Sequence, residues 1–251
     1  MIGVFDSGVG GLTVLSAMRK VYPSIDVVYF GDTKNAPYGP KNKEELSSLT
    51  VEGIRFLLSK GATTIVSACN SVSASLAVPI FDVLSLNPAN LIEMAGPCVS
   101  HFKGSRARIA LCATVATVES GMYQNAFRMI GNDIQVVAIP ELAGAIECGA
   151  GEGECEEYIR SALCAIPPDS YDVLVLGCTH YPLVLDAFRR VVGEKIIFDP
   201  AEAVADRVRR DFWPREMGYG KSIFYISQDS AHFRALAAQL FPGEKCVIEV
   251  L

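Results

Sequence analysis

Short apolar runs alternate with longer amphipathic segments from one end of the chain to the other. The runs at residues 2–5, 27–30, 64–67, 108–111, 134–139, 173–176, 196–198, 223–226 and 246–250 are of strand length and nearly continuous in apolar character. Strands that read this way are buried on both faces, as in parallel sheets. The stretches at 44–59, 115–129, 154–165, 182–192, 201–212 and 230–240 read as helices between them. The rhythm predicts an α/β fold of mainly parallel sheets flanked by helices.

No low-complexity linker divides the chain. Turn-forming residues interrupt the rhythm at Leu86-Asn87-Pro88-Ala89-Asn90 and at Asp199-Pro200. If both are crossings, residues 1–91 with 201–251 form a first, discontinuous lobe and residues 92–200 a second. A cleft between two such lobes is the natural place for a site. A second pattern points the same way. Thr64-Ile65-Val66-Ser67-Ala68-Cys69-Asn70 resembles Val173-Leu174-Val175-Leu176-Gly177-Cys178-Thr179. Each is an apolar strand, a small residue, a cysteine and a hydrogen-bonding side chain. A polar strand-end loop precedes each, and Asp6 lies 63 residues before Cys69 while Thr114 lies 64 before Cys178. The match predicts two pseudo-symmetric lobes from a duplicated unit.

Composition narrows the function. The net charge of −6, with no run of Lys and Arg to offset it, argues against a nucleic-acid partner. No stretch reaches the roughly 18 apolar residues of a membrane helix. Met1-Ile2-Gly3-Val4-Phe5-Asp6 shows neither a basic leader nor an apolar signal segment, which predicts a cytoplasmic protein. Eight cysteines are many for that compartment, and a reducing cytosol argues against a disulfide framework. Most read as small buried hydrophobes.

Cys69 and Cys178 read differently, because ligands of open α/β sheets bind beyond the carboxyl ends of strands. Asp6-Ser7-Gly8-Val9-Gly10-Gly11 also follows a strand and leads into a helix; its glycines permit close backbone approach to an anion. It lacks the Gly-Lys-Ser/Thr ending of a phosphate-binding loop and the full dinucleotide fingerprint. Gly31-Asp32-Thr33-Lys34-Asn35-Ala36-Pro37-Tyr38-Gly39 follows the second strand as a turn-rich loop. Each thiol sits beside groups able to hold a carboxylate, Asn70 and Ser71 in one half and Thr179 in the other. A free thiol is only a few per cent thiolate at neutral pH, so an acid–base partner matters. His180 can serve Cys178 in this way, and Asp6 can serve Cys69. Cys178 with His180 is only a fragment of a zinc site. A Cys/His hydrolase, which needs one activated thiol, and a non-catalytic carboxylate-binding protein stay open on these residues.

Asp6-Ser7-Gly8-x-Gly10-Gly11, Asp32 through Pro37-Tyr38-Gly39, Ala68-Cys69-Asn70-Ser71 and Leu176-Gly177-Cys178-Thr179-His180-Tyr181-Pro182 together resemble the signature motifs of the bacterial glutamate racemases, within the aspartate/glutamate racemase family. The resemblance runs through essentially the whole chain. Ser71-Val72 departs from the family's usual Thr-Ala, keeping the hydroxyl, and Met94-Ala95-Gly96-Pro97-Cys98 departs near the lobe crossing. The resemblance implies two α/β lobes, usually in a homodimer, and an isomerase that uses no cofactor or metal. It implies that Cys69 and Cys178 are the paired acid and base, with Asp6, His180 and, by a looser match, Glu147 assisting. Asp6, Ser7, Pro37, Tyr38, Gly39, Asn70, Ser71, Thr114, Thr117, Thr179 and His180 become substrate contacts. The implied reaction interconverts L- and D-glutamate, supplying D-glutamate for peptidoglycan. Aspartate or another acidic amino acid is the alternative substrate.

Overall fold

A computed structural model describes residues 1–76, 78–243 and 246–251, with the backbone alone for 78–80. The strands are β1 (Ile2–Asp6), β2 (Val27–Gly31), β3 (Thr64–Ser67), β4 (Leu91–Ile92), β5 (Ile109–Ala113), β6 (Gln135–Ala138), β7 (Val173–Gly177), β8 (Ile196–Phe198), β9 (Ser222–Ile226) and β10 (Val247–Val250). The helices are α1 (Gly11–Val21), α2 (Lys43–Ser59), α3 (Asn70–Ser75), α4 (Val78–Leu84), α5 (Ala95–His101), α6 (Val115–Glu119), α7 (Met122–Met129), α8 (Leu142–Glu147), α9 (Glu152–Leu163), α10 (Leu185–Val192), α11 (Pro200–Phe212) and α12 (Ala231–Leu240).

Two sheets form, with orders β10-β9-β2-β1-β3-β4 and β6-β5-β7-β8. Every pairing within them is parallel. The order β2-β1-β3-β4 in the first sheet repeats as β6-β5-β7-β8 in the second, so the two halves share one topology. Cys69 and Cys178 occupy equivalent places, just beyond β3 and β7.

Alternation along the strands explains the layers. Ile2 and Val4 of β1 join a core with α1, α11 and α12, while Phe5 faces the opposite core with Ile54 and Leu57 of α2. In β7, Leu174 and Leu176 pack with α8, α9 and α10, whereas Val173 and Val175 pack with α5 and α7. Each large apolar side chain so buried contributes about 1.5–3 kcal/mol. These cores, rather than the polar contacts of the cleft, therefore carry the stability.

The structure refines several expected elements. The segment expected as one helix over 115–129 is broken between α6 and α7, because Gly121 adopts a left-handed φ of 65°. The helix expected at 182 begins as a tight turn over Tyr181–Val184. The chain around 86–90 does not cross at once; it adds β4 to the edge of the first sheet beside β3. Asp199-Pro200 is a helix start: the Asp199 carboxylate accepts from Ala201 N–H at 2.9 Å, and proline at the first position has no N–H to leave unpaired. Among the described residues, no helix is long and apolar enough to cross a membrane.

Candidate active site

The loop after β1 reaches from the first sheet into groups carried by the second. Asp6 is fully buried, and its carboxylate accepts from Gly8 N–H at 2.8 Å and from the Thr179 hydroxyl at 3.3 Å. Val9 N–H donates across to Glu147 at 3.0 Å, and the Thr13 hydroxyl donates to the Thr179 carbonyl at 3.1 Å. The glycines make this approach possible. A Cβ on Gly10 would sit 2.5 Å from His180 Nδ1, and one on Gly8 would collide with the Glu147 carboxylate.

Cys69 and Cys178 are each 5% exposed. The Cys69 thiol faces the Ser7 hydroxyl at 3.7 Å. Cys69 also precedes α3, where a helix N-terminus favours a thiolate. Burial and then the nearby Asp6 carboxylate outweigh that help and the Val72 N–H, and push the thiol up to about 12. Burial likewise raises the Asp6 carboxyl above its ordinary value, against the pull of His180 and the Gly8 and Gly11 N–H groups.

Cys178 has a different neighbour. His180 Nδ1 lies 3.8 Å from its sulfur, and His180 Nε2 lies 2.6 Å from Glu147. Burial of the imidazole opposes protonation, but Cys178 on one nitrogen and Glu147 on the other hold it well above the usual histidine value. Burial pushes Glu147 up, and its bond to His180 outweighs this and brings it below the usual carboxylate value. The result is a buried Cys–His–Glu chain on one side of the cleft and a Cys–Ser pair near an aspartate on the other.

The remaining residues singled out from the sequence also lie here. Ser71, Thr114 and Thr117 form a hydroxyl chain with spacings of 2.9 and 3.0 Å, and Thr114 also caps α6. Gly39 accepts at its carbonyl from Ala116 N–H across the lobes at 3.0 Å; Ala36–Pro37 is cis. Tyr38 donates to Asp32 at 2.6 Å. Asn70 is buried, its Oδ1 accepting from the Tyr123 hydroxyl at 2.6 Å, while its Nδ2 has no partner.

Three residues were missed as site residues. Asp32, inside a noted motif, gathers Tyr38, Asn35 and Ser227 and ties the loop ending in Gly39 to β9. Tyr29 donates to the Gly8 carbonyl at 2.7 Å, and Tyr123 holds Asn70. Both tyrosines sit in apolar patterns where core packing is the ordinary reading, so no local signal marked them. Open cavities lie elsewhere; one of about 300 Å³, lined by Lys41, Asn42, Ala116 and Glu119, includes neither thiol. Among the described residues, no cluster of three or more His, Cys, Asp or Glu side chains is placed to hold a metal ion.

Residues 14–208 match the Asp/Glu/Hydantoin racemase family. A glutamate racemase from Desulforudis audaxviator is 36% identical over 97% of this chain and 94% of its own length. One from Aquifex aeolicus is 33% identical with the same two coverages. The solved structure of a glutamate racemase isoform from Bacillus anthracis superposes with a TM-score of 0.87 at 26% identity, over 100% of this chain and 97% of that one. Fold and likeness together define an isomerase of the two-sheet α/β class. The chain belongs to the Asp/Glu/Hydantoin racemase family.

Proposed function

We propose that this protein is a cofactor-independent racemase that interconverts L- and D-glutamate with Cys69 and Cys178 as its two bases. The observation that carries the reading is the placement of two buried thiols, one beyond each sheet, near enough for Cys178 to act electrostatically on Cys69 and with separate acid–base partners. The choice of glutamate rests on the glutamate racemases that match nearly the whole chain.

In this reading a thiolate on one face breaks the α-carbon–hydrogen bond and takes the proton. The electron pair spreads into the α-carboxylate, and the thiol opposite delivers its proton to the other face. Inversion follows because donor and acceptor lie across a planar carbanion. The enolate-like charge is stabilised by donors held in a water-poor cleft, where each is worth more than in water. Asn70, Ser71, Thr114, Thr117 and Thr179 are the side-chain donors we assign to the substrate, with the Ser7 hydroxyl and the Pro37-Tyr38-Gly39 loop closing around it. His180, backed by Glu147, exchanges protons with Cys178; Asp6 and Ser7 serve Cys69. By the family resemblance, Cys178 deprotonates L-glutamate and Cys69 D-glutamate. The same resemblance supports a homodimer, a cytoplasmic location and supply of D-glutamate for peptidoglycan. We place the lobe boundaries near residues 91 and 200.

The test is incubation with L-glutamate in deuterated water, following α-deuterium and D-glutamate together, with L-aspartate in parallel. Both signals on glutamate are expected. Faster turnover of aspartate moves the substrate; a trapped covalent intermediate without α-exchange replaces racemisation by thiol hydrolysis; binding without exchange leaves a carboxylate-binding protein. In Cys69→Ser and Cys178→Ser, racemisation is lost while exchange survives on one enantiomer in each. Full racemisation by either variant overturns the two-base mechanism.

A further inference from the structure

The Asn70 side chain presents an asymmetry that the thiols do not explain. Its amide has one oxygen acceptor and two N–H donors. The oxygen is used by Tyr123, whose hydroxyl lies 2.6 Å away, and Nδ2 is buried with no partner. A buried amide donor left unpaired costs about 1–3 kcal/mol, so a waiting donor implies an acceptor that arrives later. Tyr123 is itself fully buried, at the start of α7 beyond β5 of the second sheet, whereas Asn70 opens α3 beyond β3 of the first. The bond therefore spans the cleft.

We propose that Tyr123 is a positioning residue for the racemisation: it orients the Asn70 amide so that its N–H groups, and not its oxygen, meet the α-carboxylate of the substrate. The geometry supplies the direction. Tyr123 is hydrogen-bonded to Asn70 in the closed cleft, and a phenol kept protonated among buried groups donates. The Asn70 oxygen is then occupied. Released from Tyr123, the amide can turn its oxygen toward the carboxylate, replacing attraction by repulsion. Asn70 immediately follows Cys69, which places its donor at the reacting end of an amino acid. The α-carboxylate gains charge as the α-proton leaves, so this donor matters more in the transition state than in the bound substrate. Because Tyr123 and Asn70 stand on opposite lobes, the amide is set only when the cleft is closed.

This inference rests on the glutamate racemase reading, and two measurements keep their failures apart. Steady-state kinetics on glutamate compare the wild type, Tyr123→Phe, Asn70→Ala and the double variant. Tyr123→Phe, which keeps the ring, is expected to lower kcat/KM about 30-fold, the scale of one buried hydrogen bond, with kcat falling more than KM rises. Asn70→Ala lowers it at least as far, and the double variant is no worse than Asn70→Ala alone. A purely structural role for Tyr123 would instead leave its loss undiminished in the Asn70→Ala background, and that result overturns the proposal, as does wild-type kcat/KM in Tyr123→Phe. Independently of turnover, the Asn70 side-chain amide resonances, assigned by their absence in Asn70→Ala, shift in Tyr123→Phe. Unshifted resonances sink the proposal. A wild-type protein inactive on glutamate, with the shift present, sinks only the substrate reading.

Discussion

Replacing Gly10 by alanine tests how closely the lobes must meet. Gly10 has φ −58° and ψ −42°, a conformation any residue adopts, so alanine there adds no backbone strain. Its Cβ would lie 2.5 Å from Thr179 Oγ1, 2.5 Å from His180 Nδ1 and 2.8 Å from His180 Cε1, whereas ordinary contact begins near 3.4 Å. Relief therefore needs a retreat of roughly 1 Å. Neither neighbour yields easily: Thr179 is tied to Asp6, and His180 is tied to Glu147. The lobes must separate instead, stretching the bonds of Val9 to Glu147, Ser71 to Thr114 and Tyr123 to Asn70 together.

A misplacement of about 1 Å costs a catalyst on the order of 100-fold. Gly10→Ala is therefore expected to lower kcat/KM for glutamate about 100-fold. The fall is the same in both directions, because enantiomers have equal free energy. Thermal melting should drop by no more than about 4 °C, since about 1 kcal/mol moves a chain of this size by 2–4 °C and the four cores are untouched. Gly153→Ala is the control, since its Cβ meets nothing within 4 Å. Circular dichroism at two wavelengths reads racemisation and melting from the same samples. Wild-type turnover in Gly10→Ala would refute the claim that catalysis needs this degree of closure. A collapse of melting temperature would show that the loop is needed for folding instead.

Two further perturbations address the electrostatics and the loop. Glu147→Gln removes one partner of a buried ion pair, which costs about 3 kcal/mol, or roughly 6–12 °C in a melt. His180 is raised in the fold, so its contribution is complete below about pH 6.5 and fades as pH rises through the native value. Glu147 is lowered, so its contribution is complete above about pH 4.5 and fades as pH falls through the native value. The gap between wild type and Glu147→Gln is therefore widest between about pH 4.5 and 6.5; a gap that does not vary with pH contradicts the ion pair. Asp32→Asn weakens the shared acceptor of Tyr38, Asn35 and Ser227, and KM for glutamate should rise about 10-fold, the value of one charge-assisted hydrogen bond. An unchanged KM would mean that the loop holds its shape without this acceptor.

Apolar runs made most of the sheet legible: β3 and β8 have the bounds expected from the sequence, 64–67 and 196–198. β4 was not, because two residues carry no period and only the neighbouring β3 makes Leu91–Ile92 a strand. Gly121 could not be read as a helix break in advance, since a glycine inside an amphipathic pattern is tolerated unless its φ turns positive. At the site, the thiols were legible because each follows an apolar strand, a local signal. Glu147 was not legible in the same way: its link to His180 joins residues 33 apart, through a chain path that no local pattern describes. Asp32 and Tyr123 act through hydrogen bonds that exist only after the loops and lobes have met.

The repeated topology and the unequal surroundings of the thiols belong to one account. The repeated topology places a cysteine beyond β3 and beyond β7, which is what a reaction on two faces of one carbon requires. The order of strands is shared, but the partners are not: burial and Asp6 keep Cys69 as a thiol, while Cys178 faces an imidazole that holds a proton beside Glu147. A symmetric pair of bases is not needed. Because the two enantiomers are equal in free energy, kcat/KM is equal in both directions whatever the two thiols' intrinsic basicities. Unequal thiols therefore show only as kcat and KM that differ between directions in the same proportion. Under the two-thiol reading, Glu147→Gln acts on Cys178 most directly, through the His180 imidazole, and should change that proportion while leaving the two kcat/KM values equal to each other. Measurement of all four constants in the variant decides it: a proportion identical to that of the wild type would mean that the His180–Glu147 pair does not assist proton transfer at Cys178.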